Sequence, residues 1–161
     1  MVYIVSTLLR KAIDAARAAG TGAIADSNDA MWKHLILTPY DFDEKAMFHP
    51  ETRALMEKIE FAHGGKDYDE NYPDGIPTSV IIETTDGRNL DSGLVMYPSG
   101  HARNTTCDLE DILKNKAKAL GQLALDDPDP ILARFREVDS LTSDDLKTMN
   151  DFEIRAHGRF E

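Results

Sequence analysis

Apolar positions in the first twenty residues recur with helical spacing. Val5, Leu8, Leu9, Ala12, Ile13 and Ala16 fall at i, i+3 and i+4 steps, which predicts a helix over 2–19 with one apolar stripe. Gly20 and Gly22 end it, because glycine accepts the left-handed conformation that closes a helix. Val2 and Ile4 lie off the stripe, so the first turn expects neighbours on more than one side. The polar stretch 23–30 reads as a loop. Residues 31–37 are apolar and fit either a strand or a short helix, and Pro39 stops them. Asp41 or Asp43 caps a short helix through Phe48. Pro50 then opens another helix, with Glu51 in its first turn, that runs to Lys58 and buries Ala54 and Leu55. Ile59 and Phe61 alternate with polar residues and predict a strand.

The pattern changes after His63. Residues 63–77 are dense in turn formers: Gly64-Gly65, Asp67, Asp69, Asn71, Pro73, Asp74-Gly75 and Pro77. Next comes the hairpin around which the chain is organised. Val80, Ile81 and Ile82 form one strand-like run, and Leu94, Val95, Met96 and Tyr97 end a second. Between them stands Asp86-Gly87, a pair suited to a tight primed turn that needs positive φ. Pro98-Ser99-Gly100 breaks the second run. Helical spacing then returns. Thr106 or Asp108 caps a helix through Leu123, with Leu109, Ile112, Leu113 and Leu120 on one side. Asp129-Pro130 opens the next, through Val138. Thr142 or Ser143 caps the last, which carries Leu146, Met149 and Phe152. Trp32 and Tyr40 are assigned to the core.

This order predicts an α+β fold: a small antiparallel sheet built on the central hairpin, helices packed on it, and helical segments at both ends. Residues 1–22 read as a helix that belongs to or docks on a helical domain. Residues 23–125 read as the α+β domain. Residues 126–161 read as a helical C-terminal extension behind the acidic linker Asp126-Asp127-Pro128-Asp129-Pro130. There is no internal repeat.

Composition narrows the function classes. The chain has 161 residues, enough for one domain with a core. Its 42% hydrophobic and 29% charged shares are those of a globular protein and exclude disorder. The net charge of −11, with no basic run, makes nucleic acid and anionic membrane surfaces poor partners. No apolar run reaches the ~18 residues of a membrane-spanning helix. The apolar start precedes Arg10 and Lys11 and has no basic segment before it, which is the reverse of a secretory signal. The expected location is cytoplasmic. The single Cys107 excludes an internal disulfide and cannot alone hold an iron–sulfur cluster or a structural zinc.

Few residues suggest chemistry. Asp67, Asp69 and Asn71 start like a calcium loop, but Tyr72 and Thr78 stand where that loop needs Gly and Glu. The better reading is an acidic surface turn. His34, His49, His63 and His157 show no metal spacing, and His49 before Pro50 reads as a helix-entry residue. Cys107 near a helix start has no base arranged beside it and reads as a bystander. No metal or other cofactor is expected. Gly100-His101-Ala102-Arg103 combines an imidazole, a permanent cation and a permissive backbone just past a strand end. Such a loop suits a carboxylate ligand, since arginine offers a planar fork of donors. The competing reading is an exposed loop whose Arg103 pairs with a nearby acid, and spacing alone favours that one.

The motifs in order are VYIVSTLLRKA, FHPETRALMEKIEF and YPDGIPTSVIIETTDGRNLDSGLVMYPSGHARN, followed by a helical tail. Together they resemble the C-terminal part of the 2-methylcitrate dehydratase (MmgE/PrpD) family, over nearly the whole chain. The hairpin followed by YP-x-GHAR is the most specific piece. The resemblance implies lyase or isomerase chemistry on small polycarboxylates. The namesake reaction takes 2-methylcitrate to 2-methyl-cis-aconitate in propionate catabolism, without an iron–sulfur cluster. A related branch decarboxylates cis-aconitate. It also implies a homodimer in which a large helical domain accompanies the α+β domain.

In the family a His-Ser-x-x-Tyr segment leads into the small domain and its Tyr reaches the active site. Tyr3 matches that Tyr, and the His-Ser half has no counterpart here. By the same resemblance Gly100, His101 and Arg103 become candidates for substrate-carboxylate or interdomain contacts. The family's other active-site groups lie in the helical domain. The expectation is therefore a truncated reading frame, an isolated domain or one subunit of a split enzyme, silent or nearly so alone. The alternatives are a non-catalytic dimerisation or binding module, and a decarboxylase or isomerase relative.

Overall fold

The structure is a computed structural model, and it describes residues 1–20 and 24–155. Gly22 and His157, singled out above, lie outside the described residues. Helix α1 spans Val2–Ala19 and ends at Gly20, whose φ of 66° is the left-handed closure that a side chain would resist. Helix α2 covers Asn28–Leu35, with the Ser27 hydroxyl accepting from the Ala30 amide. That settles the ambiguous apolar run as helix as far as Leu35, and corrects the loop assigned to 23–30, whose last residues belong to the first turn of α2. A turn of 3₁₀ helix, Pro39–Phe42, follows. Helix α3 is Glu44–Met47, capped by Asp43, and α4 is Pro50–Met56, with Pro at its start.

Helix α5, Gly65–Asn71, lies inside the stretch read as turns only. It was hidden because its residues are polar, so no apolar stripe marked it. The strand expected at Ile59 and Phe61 is absent: this segment is irregular and Phe61 is 62% exposed. Two alternating residues without a pairing partner do not make a strand. Helices α6 (Leu109–Gly121, capped by Asp108), α7 (Asp129–Arg136) and α8 (Ser143–Thr148, capped by Thr142) complete the chain. Phe152 lies past the end of α8. No helix among the described residues is long and apolar enough to cross a membrane.

The sheet is the predicted hairpin. Strand β1, Ile81–Glu83, pairs antiparallel with β2, Asn89–Asp91, with Ile82 opposite Leu90. The fold is α+β. The turn is not the primed type. A primed turn of type I′ needs positive φ at both central residues, yet only Gly87 has it, at 83°. The Gly87 amide donates to the Thr84 carbonyl at 3.0 Å and the Thr84 amide to the Arg88 carbonyl at 2.9 Å. Thr85, Asp86 and Gly87 thus form a three-residue loop whose last member is left-handed.

Helix packs on helix: α1 on α4 and α2, and α2 on α6. The most deeply buried residues among those described are Ile112, Ser6, Thr7, Thr52 and Pro128. The apolar stripe of α1 is half-buried as expected, and Ile4 projects outward at 38% exposure. Ala54 is exposed, however, and Thr52 is the buried residue of α4, because it lies against α1 and accepts from Arg10 Nε at 2.9 Å. Trp32 is half-buried, but Tyr40 is 45% exposed and not core. On α6, Ile112 is buried while Leu113 is 52% exposed, since only one edge of the expected stripe meets α2.

Candidate functional site

The hairpin's base brings two Tyr-Pro segments together. Thr78 and Val95 exchange backbone hydrogen bonds of 3.0 and 2.9 Å below the strands. Tyr72-Pro73-Asp74-Gly75 thereby meets the segment that begins at Met96-Tyr97. Gly75 is buried, and a β-carbon there would fall 2.5 Å from Met96 Cε and 3.1 Å from its carbonyl oxygen. A side chain there would force the end of Met96 to move and would crowd its carbonyl, so this close approach favours glycine.

Past Tyr97 the chain turns twice. The His101 amide donates to the Pro98 carbonyl at 2.8 Å, and the Asn104 amide to the His101 carbonyl at 2.9 Å. Asn104 staples the loop: its Nδ2 donates to the Tyr97 carbonyl at 2.8 Å, and its Oδ1 accepts from the amides of Thr106 and Cys107 at 2.8 and 3.0 Å. Gly100 faces open space.

Within this frame three side chains group together. The His101 ring stacks on Tyr97 at 4.9 Å with 22° between planes. The Arg103 guanidinium carbon lies 5.9 Å from the Tyr97 centroid, and its Nη1 donates to the Tyr97 hydroxyl at 3.4 Å. The Arg103 amide donates to His101 Nδ1 at 3.0 Å. Arg103 is held above its ordinary pKa, first by the Tyr97 hydroxyl bond, then by the charges of Tyr97 and Asp74. Among the described residues no carboxylate lies within ion-pair distance of Arg103. That argues against the surface-pairing reading of this loop.

Tyr3 is elsewhere. Its hydroxyl donates to the Asp41 carbonyl and its ring packs on Phe42 at 5.7 Å. Lys11 ties the same segment, donating to the Ile36 carbonyl at 2.9 Å and to Asp41 Oδ2 at 3.2 Å. Asp41 Oδ2 also accepts from the Thr38 amide at 2.8 Å. Among the described residues no hydrogen bond, ring contact or ion pair joins Tyr3 to His101 or Arg103. The loop residues 100, 101 and 103 are thus brought together, and Tyr3 serves a separate helix-docking contact.

Asp67, Asp69 and Asn71 lie on helix α5, where Asn71 Nδ2 donates to the Asp67 carbonyl at 2.7 Å. Among the described residues no group of three His, Cys, Asp or Glu side chains is placed to hold a metal. Cys107 is half-buried beside Thr106. Two open surface hollows, one lined by Asp43, Glu44, Lys45 and Phe48 and one by hairpin residues, reach neither Tyr3 nor the loop. Sequence reasoning passed over Tyr97. Its signal was the Tyr-Pro-x-Gly-His-x-Arg spacing, which puts an aromatic platform just before two nitrogen bases.

Fold and site together define a small α+β domain that presents a cationic loop at the foot of a hairpin. Residues 31–133 match the family model for the MmgE/PrpD C-terminal domain, and the chain belongs to that family. The matched span contains the loop and excludes Tyr3. No curated protein and no solved structure matches the chain.

Proposed function

We propose that this domain supplies a carboxylate-contacting loop to a hydro-lyase of the 2-methylcitrate dehydratase type, acting on a small tricarboxylate. The supporting observation is that Arg103 has no carboxylate within ion-pair distance among the described residues, in a chain of net charge −11 and within the family-matched span. Dehydration requires a base for the proton α to a carboxylate and an acid for the departing hydroxyl. A guanidinium does not exchange protons at neutral pH. Tyr3, if it acts as the resemblance implies, must first release the Asp41 carbonyl. The loop therefore chiefly binds and orients, with His101 its one side chain able to move a proton at neutral pH, and the remaining proton-transfer groups come from a helical domain or partner chain, in a homodimer.

The test is to incubate the chain with 2-methylcitrate and follow absorbance of the conjugated product. The expected result is no rise above buffer. Sustained turnover without a partner would sink the proposal that this chain is silent alone. A second reading, an assembly module, draws on the open hairpin, where Ile81 is 61% and Leu94 54% exposed. Light scattering tests the second reading: a strictly monomeric chain counts against assembly through itself.

A further inference from the structure

Tyr97 touches both nitrogen bases of the loop, and the hydrogen bonding around it fixes what each can offer. A backbone amide can only donate, so the 3.0 Å bond from the Arg103 amide makes His101 Nδ1 an acceptor. The ring proton then resides on Nε2, and the imidazole is a neutral donor. Among the described residues Nε2 has no partner. Arg103 spends one N–H on the Tyr97 hydroxyl and keeps the others free of acceptors among the described residues. An exposed arginine usually loses rotamer freedom when it binds an anion. Here the Tyr97 ring and hydroxyl limit that freedom beforehand.

We propose that Tyr97, His101 and Arg103 form one anion clip for a small polycarboxylate, with Tyr97 as its positioning residue, His101 a neutral Nε2–H donor and Arg103 the cation. The inference rests on the reading of this loop as a carboxylate contact. A carboxylate accepts and never donates when ionised, which matches a site made only of donors. Asp74, on the other Tyr-Pro arm, acts on Arg103 through its charge without forming an ion pair. Its like charge opposes an incoming anion.

The experiment uses the ¹⁵N-labelled full chain, with citrate as the probe against chloride at equal ionic strength. In the free chain, His101 ring nitrogens should report the Nε2–H tautomer. Citrate should shift the His101 and Arg103 side-chain signals. Arg103→Ala should abolish those shifts, since the cation is lost. Tyr97→Leu should weaken citrate about 10-fold while far-UV circular dichroism stays unchanged, and Tyr97→Phe about 3-fold, because it keeps the stack and loses only the hydroxyl. Asp74→Asn should tighten binding about 2- to 3-fold by removing a like charge. If the wild-type chain binds citrate and Tyr97→Leu binds it equally well, the positioning role is overturned and the carboxylate reading stands. If His101 carries its proton on Nδ1, the donor assignment is overturned. If citrate shifts nothing in the wild-type chain, the clip and the carboxylate reading fall together.

Discussion

The helical body and the hairpin hold their shapes by opposite means. In the body, α1 closes on α4 and α6 on α2, and Ser6, Thr7, Thr52 and Ile112 lose essentially all solvent contact. In the hairpin, every residue of β1 and β2 is exposed. What keeps the strands together is their own ladder, the Thr84–Arg88 closure and the Thr78–Val95 bridge at the base. Burial is the dominant stabilising term in folding, so body and hairpin should answer very differently to substitution. The hairpin's apolar residues contribute little to this chain's own stability. Its backbone matters more, because it sets the geometry of the loop at its foot.

The largest expected effect is therefore in the body. Ile112→Ala removes the most buried apolar side chain among the described residues and should cost about 2–4 kcal/mol. Urea unfolding followed by far-UV circular dichroism measures it. A loss as small as a surface change would place the core elsewhere. Next comes the close contact of Gly75 with Met96 at the hairpin's base. Gly75→Ala would press a β-carbon against the Met96 side chain and its carbonyl, and should cost about 1–2 kcal/mol. The same variant should disturb the Tyr97 and His101 signals, since Met96 directly precedes Tyr97. Unchanged spectra would detach that contact from the site.

Tyr3→Phe follows, at about 1 kcal/mol, for a part-buried hydroxyl whose acceptor is the Asp41 carbonyl. It leaves the ring on Phe42. Thermal unfolding detects it, and an unchanged midpoint would mean that the contact does not seat α1. Smaller again is a pH effect spread over both regions. The Thr84 hydroxyl bond, helped by Arg88, holds the Asp86 carboxyl below its ordinary value, and the Thr142 hydroxyl does the same for Asp145. A carboxyl with a lowered folded-state pKa stabilises above its unfolded pKa, and that stability is lost as pH falls through the folded value. Acidification through and below the usual carboxylate range should lower the unfolding midpoint. Asp145→Asn should flatten that dependence, and an identical slope in the variant would contradict it.

The elements that were legible in the sequence have strong local signals. The stripe of α1, the Pro50 start of α4, the Asp108 and Thr142 caps and the Asp86-Gly87 hairpin are set by residues a few positions apart. What escaped depends on distant partners or on signals too weak for pattern alone. Helix α5 has no apolar face to announce it, and Thr52 is buried only because α1 crosses it. The His101–Arg103 loop was visible as residue types in the right order. Tyr97 had a signal in the same spacing and was passed over, whereas the absence among the described residues of a carboxylate within ion-pair distance of Arg103 depends on where the acids end up.

The smallest expected effect is the sharpest test of the comparison. Ile81 lies in β1 opposite Asp91, with its side chain 61% exposed. Ile81→Thr keeps a β-branched residue, so strand propensity is preserved, and it removes no apolar cross-strand pair. The isolated chain should change by no more than about 0.5 kcal/mol. Ile82→Thr, across from Leu90, breaks an apolar pair and should cost somewhat more, within the 0.2–1 kcal/mol typical of such pairs, roughly. That order follows if cross-strand neighbours are all the hairpin has. An Ile81 loss near that of Ile112 would mean that the strand face is covered in solution. Repeating the measurement at several protein concentrations would then tell whether a second copy covers it, because a self-associated face unfolds later as concentration rises.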